Sequence, residues 1–177
     1  MEAGSLSTLV DAVLRRAWRR DSPWHGEMHW RCVAASGLAL SADDDRVDRS
    51  VVFCFALLHD TRRENEAVDP GHGPRAAALA GTLRNEGSLV LDDRPFSALV
   101  EALRLHSDGL TTDDPTIGTC WDADRLHLPR VSIVPDPAFL STRAARAPES
   151  LSHAAALRTA GPPEWEALVE RVSVPGV

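Results

Sequence analysis

Apolar residues along this chain recur at helical spacing. Leu6, Leu9, Val10, Val13, Leu14 and Ala17 share one face and predict an amphipathic first helix. Ser22-Pro23 predicts a second helix start, with serine as the cap and proline at the first position. That helix would carry His25, His29 and Val33 in steps of four, on one side. Gly37 and the run Asp43-Asp44-Asp45 mark a turn. Residues 47–58, VDRSVVFCFALL, are apolar nearly all round and predict a buried helix, with a buried strand as the competing assignment. His59-Asp60 closes this segment, residues 61–73 read as a loop, and residues 76–83 as an alanine-rich helix. Phe96, Leu99, Val100 and Leu103 predict a further amphipathic helix, and His106 continues its stripe. Residues 107–119 look loop-like, and WDADRLHL resumes a helix. Asp136-Pro137 reads as another cap, and the last ~30 residues carry one or two weaker helices. The expected fold is all-α, a single domain over residues 1–177, with no internal repeat and no domain-scale linker.

Composition narrows the function. The chain is 44% hydrophobic and 25% charged, as globular domains are, with a net charge of −7. An acidic balance argues against a general nucleic-acid surface or an anionic-membrane surface. A small phosphorylated substrate stays open, because local metals and arginines can outweigh the average. All 19 basic residues are arginine and tyrosine is absent, which removes Schiff-base lysine, P-loop lysine and tyrosine chemistry. Cys32, Cys54 and Cys120 form no CxxC pair and are odd in number, so a reducing, cytoplasmic setting is expected rather than a disulfide framework. The N-terminus has no apolar core of signal-peptide type, and no stretch approaches the ~18–20 apolar residues of a membrane span.

His59-Asp60 is the sharpest chemical feature. An apolar helix ending in adjacent histidine and aspartate carries two polar groups to one buried spot, where each needs a partner. A divalent cation satisfies both. A histidine paired with a carboxylate at a helix end is the plainer alternative.

The surroundings weigh toward the metal. HWRCV places Val33 four residues after His29, ALLHDTRRE surrounds His59-Asp60, and DADRLHL contains Asp124. This ordered set resembles the HD superfamily of metal-dependent phosphohydrolases, over roughly residues 22–130. The resemblance implies an HD-like core about 22–130 and a helical C-terminal extension about 131–177. It implies metal ligands His29, His59, Asp60 and Asp124, the ADRL match selecting Asp124 over Asp122. His72, in DPGHGPRAA, and His106, in LRLHSDG, have the order of the two extra histidines of binuclear members, or else bind phosphate. One or two divalent ions are therefore expected, of manganese, iron, nickel, cobalt, zinc or magnesium. The implied reaction is hydrolysis of a small phosphate ester (a nucleotide, phosphomonoester or phosphodiester) by metal-activated water, with Asp60 taking part in catalysis. The alternatives are an HD-fold di-iron oxygenase and a non-catalytic HD domain that binds a nucleotide or a protein.

Nearby residues fill out the expected site. His25 is expected to assist catalysis from beside His29. HGEMH superficially resembles the zincin HExxH, but its glutamate stands third rather than second. Arg62 and Arg63 follow the HD pair and are candidate phosphate-binding and catalytic cations, and Arg125 is a further phosphate candidate. Asp122 is a candidate for orienting a ligand histidine. His127 and His153 stand out for nothing.

Overall fold

The structure, a computed structural model, describes residues 1–173, and among them there are eight α-helices and no strand. The all-α expectation is met. The helices are α1 (Ala3–Leu14), α2 (Glu27–Leu40), α3 (Arg49–Leu58), α4 (His72–Asn85), α5 (Asp93–Leu105), α6 (Pro115–Arg125), α7 (Pro148–Ala160) and α8 (Trp165–Ser173). Two short 3-10 turns, Leu128–Val131 and Pro137–Phe139, link α6 to α7. No helix among the described residues is long and apolar enough to cross a membrane.

α3 is the central helix. It packs against α1, α2, α4, α5, α6 and α8. That explains its all-round apolar sequence: every residue from Val51 to Leu58 is fully buried. Asp48 settles helix over strand locally, its carboxylate accepting from the backbone N–H groups of Ser50 and Val51. α6 opens the same way, Asp114 accepting from Thr116 and Ile117 with Pro115 in the first turn. One continuous apolar core runs through α1–α6 and takes in Trp165, Leu168 and Val169 of α8.

Three element boundaries differ from expectation. The second helix begins at Glu27, not at Pro23. Ser22 does act as a cap, its Oγ accepting from the N–H groups of Trp24 and His25. The turn then stops, because the backbone folds back on itself at Gly26. Its N–H reaches Ser22 O, that of Glu27 reaches Arg20 O, and a Cβ on Gly26 would lie 2.3 Å from Arg20 O. The segments 61–73 and 107–119, expected as loops, contain the starts of α4 and α6. Asp136-Pro137 caps only a three-residue turn, while the last stretch carries two helices as expected.

α4 and α5 approach closely where Gly73 faces the end of α5, so that a Cβ there would lie 2.5 Å from the backbone oxygen of Leu103. A carbonyl on a helix cannot yield as a side-chain tip can. Gly73→Ala is therefore expected to destabilise by about 1–3 kcal/mol. Gly81→Ala, on the same helix with nothing within 4 Å, is expected to stabilise by about 0.5–1 kcal/mol. Thermal melts of both variants check the pair, and equal shifts would contradict this account of the α4–α5 contact.

Candidate metal centre

The helix termini deliver the polar residues. His59 and His106 are the C-terminal caps of α3 and α5, His72 is the first residue of α4, His29 lies in the first turn of α2, and Asp124 in the last turn of α6. Carbonyls at helix ends lack intrahelical partners, so a histidine there has an acceptor ready for one ring nitrogen. His59 Nδ1 donates to Ala56 O at 3.0 Å and His106 Nδ1 to Leu103 O at 2.9 Å. His72 Nδ1 donates to Asp69 O. A carbonyl only accepts, so each Nδ1 carries the proton and each Nε2 is left as a lone pair.

Those lone pairs and the Nε2 atom of His29 converge. His59 Nε2 and His29 Nε2 are 3.2 Å apart, and His72 Nε2 and His106 Nε2 are 2.7 Å apart. His29 Nε2 is 3.1 Å from Asp124 Oδ1, and His59 Nε2 is 3.8 Å from it. Asp60 Oδ1 is 3.3 Å from His72 Nε2 and 4.0 Å from His106 Nε2. The residues thus form two groups, His29–His59–Asp124 and Asp60–His72–His106. Asp60 also joins them, its Oδ2 lying 3.6 Å from His59 Nε2 and 3.8 Å from His29 Nε2.

The donor set fits a divalent cation. The Nε2 lone pairs of His72 and His106 face each other with no proton between them and repel, and a cation makes that contact favourable. Ligand atoms around one ion, each about 2.0–2.2 Å from it, stand roughly 3–3.5 Å apart, close to the separations within each group. Asp124 Oδ1 is buried without a hydrogen-bond partner, a costly state unless something positive engages it. Burial, with the Arg130 charge adding to it, holds His29 well below the ordinary imidazole range. Burial and the neighbouring imidazole likewise lower His72 (beside His106) and His106 (beside His59). These rings are therefore neutral at pH 7, as metal ligation needs. Burial works against ionisation of Asp60 and Asp124, but His59, His25 and His29 around the first, and His29, Arg130 and His59 around the second, hold both well below the carboxylate range.

The other expected site residues divide. His25 reaches the centre from the turn before α2, its Nδ1 donating to Asp60 Oδ2 at 2.9 Å. Arg63 faces the centre, Nη1 lying 3.5 Å from Asp60 Oδ1 and 3.4 Å from His72 Nε2. Arg62 instead lies over the Trp18 ring, 4.7 Å from its centroid. Arg125 donates to Phe139 O at 2.5 Å and sits beside the Trp121 ring. Asp122 accepts from the backbone N–H groups of Ser141 and Thr142, tying down the segment after α6 rather than orienting a histidine.

Two residues were missed from sequence. His127 is fully buried, with Nε2 2.9 Å from Ser36 Oγ and its ring edge-on to His29 at 6.0 Å. Burial, with Arg158 beside it, lowers its pKa to about 3, so it packs as a neutral ring behind the ligand. Arg130 reaches in from the turn after α6, with Nη1 3.6 Å from Asp124 Oδ1 and Nη2 3.8 Å from Asp60 Oδ2. Its only sequence signal was position, six residues beyond Asp124 across a proline. A surface groove of about 700 Å³, bordered by Arg46, Asp114, Ser141 and Arg143, contains none of the cluster residues. Comparison with known protein families, curated proteins and solved structures returned no match. The all-helical fold with two buried His/Asp groups fits an HD-type arrangement.

Proposed function

We propose that this protein is a metal-dependent phosphohydrolase of the HD type, acting on a small phosphate ester at a two-ion centre. The observation that carries the metal reading is the convergence of four histidine Nε2 atoms on two carboxylates, three of them (His59, His72 and His106) left as lone pairs by their Nδ1 bonds. His29, His59 and Asp124 would hold one ion, His72 and His106 the other, with Asp60 shared. Bound there, divalent ions supply neutralisation of phosphate charge and acidification of water.

Charge favours an anionic substrate. Asp60 and Asp124 contribute −2 and the flanking Arg63 and Arg130 contribute +2, so the side chains already balance. Each divalent ion then adds two positive charges, which favours an anionic phosphate group that offsets part of them. Asp60 fixes the His25 tautomer by accepting from Nδ1, which makes Nε2 the basic atom and suits His25 to take or return a proton during hydrolysis. Arg63, held by Asn65 O and Ala67 O, keeps Nη1 toward the Asp60–His72 side, where it would bind a substrate oxygen.

The test is a panel of nucleotides, phosphomonoesters and phosphodiesters with protein reconstituted in manganese, nickel, cobalt or magnesium. Phosphate release that requires the added metal is the expected result. Bound iron with oxygen consumption and no phosphate release would replace the hydrolase with an oxygenase. Tight nucleotide binding without turnover would replace it with a binding domain.

A further inference from the structure

The sequence motifs draw attention to the arginines beside the HD pair, yet one outside every motif offers more free donors. Three residues past the end of α6, Leu128 and Pro129 open a single 3-10 turn, closed by Ser132 in the left-handed region at φ 63°. This turn carries Arg130 back toward the centre. Its Nε donates to Trp24 O at 2.7 Å, anchoring the guanidinium to the turn that also presents His25. The opposite edge, Nη1 and Nη2, lies toward Asp124 and Asp60.

That edge is not engaged in an ordinary ion pair. Arg19 grips Glu66 at 3.0 and 2.7 Å, and Arg46 grips Asp44 at 2.8 and 2.7 Å. Arg130 stands back at 3.6 and 3.8 Å, beyond hydrogen-bond range. Its Nη1 is buried and has no hydrogen-bond partner, and Nη2 is 3.5 Å from His25 Nδ1. A buried charged donor without an acceptor is costly. The other candidates are committed: Arg62 to Trp18, Arg125 to Phe139 O, and two of the three Arg63 nitrogens to loop carbonyls. Arg130 alone among these four presents two adjacent N–H groups at the centre.

We propose that Arg130 is the anion-binding residue of this centre, its Nη1–Nη2 edge taking two non-bridging oxygens of the substrate's phosphoryl group. The planar fork matches two oxygens of a tetrahedral oxyanion, as lysine does not. The proposal rests on the phosphohydrolase reading above and adds the residue that would position the phosphate over the His29–His59–Asp124 half.

The experiment measures binding of inorganic phosphate by calorimetry to metal-loaded wild type, R130A and R130K, alongside metal content and melting temperature. R130A is expected to keep its metal and weaken phosphate binding about 10- to 100-fold, since charged hydrogen bonds contribute on the order of 1.5–3 kcal/mol. R130K keeps the charge without the fork and should fall between. It also serves if R130A folds poorly once the Trp24 anchor is lost. Metal loss in both variants would make Arg130 a structural partner of the carboxylates and overturn the proposal. Unchanged phosphate affinity in R130A, or no phosphate binding by loaded wild type, would overturn it as well. Loaded wild type that binds phosphate through Arg130 but hydrolyses no ester would overturn the hydrolase reading and leave the anion site standing.

Discussion

Asp60→Asn is expected to lower phosphate-ester turnover on the order of a thousandfold and to strip metal from the centre. Among the described residues Asp60 is the carboxylate that faces both groups. Oδ1 lies 3.3 Å from His72 Nε2, and Oδ2 lies 3.6 and 3.8 Å from the Nε2 atoms of His59 and His29. Asparagine keeps the shape but removes the charge, and one of its two terminal atoms becomes a donor. Either orientation then points N–H groups at lone pairs on one side only, and neither leaves an anion between the ions. Arg63 would lose the carboxylate it faces and Arg130 one of its two, so the variant also places unbalanced positive charge beside any incoming cation. His25 would lose the carboxylate that fixes its tautomer. Metal content by mass spectrometry and turnover with metal in excess check both effects. Wild-type metal content and turnover in the variant would show that Asp60 is a buried ion-pair partner and nothing more.

Phe55→Ala is expected to cost about 3–5 kcal/mol, which lowers the melting temperature by roughly 6–20 °C for a domain of this size. Phe55 is fully buried on α3, the helix every other core element touches. Its ring stacks on His59 at 5.3 Å and meets the edge of His106 at 5.8 Å. Truncation therefore opens a cavity and removes the wall that holds one imidazole from each metal group. The expected signature is coupled: the metal-free variant melts early, and its metal affinity falls as well. Phe139→Ala is the control, because that residue is 51% exposed and Arg125 bonds its backbone carbonyl, which the substitution leaves in place. A change within about 0.5 kcal/mol is expected there. Differential melts of chelated protein, followed by metal titration, separate the two effects. Equal losses at Phe55 and Phe139 would contradict the placement of α3 at the centre.

The candidate ligands and their order were legible through the resemblance to the HD superfamily, and apolar periodicity marked the helix ends at His59 and His106 but not the one at His72. Val51 to Leu58 read as buried all round, and their place inside the ring of other helices is why. His25 was singled out on the expectation of a helical face shared with His29. It arrives from a tight turn instead, since the backbone closes at Gly26 before α2 begins. The start of α4 was hidden by Gly71 and Gly73, which resemble loop residues locally. Gly73 is small because α5 crosses it, and that contact is invisible along the chain. Arg62 and Arg63 cannot be told apart as neighbours in sequence. Trp18 draws one aside, while the carbonyls of Asn65 and Ala67 aim the other inward. Arg130 depends on the Trp24 carbonyl, 106 positions away, so no local pattern announces it.

The central claim is that the buried histidines and aspartates exist to hold metal. Elemental analysis of wild-type protein, purified without chelator and reconstituted with each first-row divalent ion in turn, tests it most directly. The expected result is about two divalent ions per chain for at least one metal, as two sets of imidazole and carboxylate ligands require. No bound metal under any of these conditions would contradict it and leave the cluster as a buried network of histidines, carboxylates and arginines.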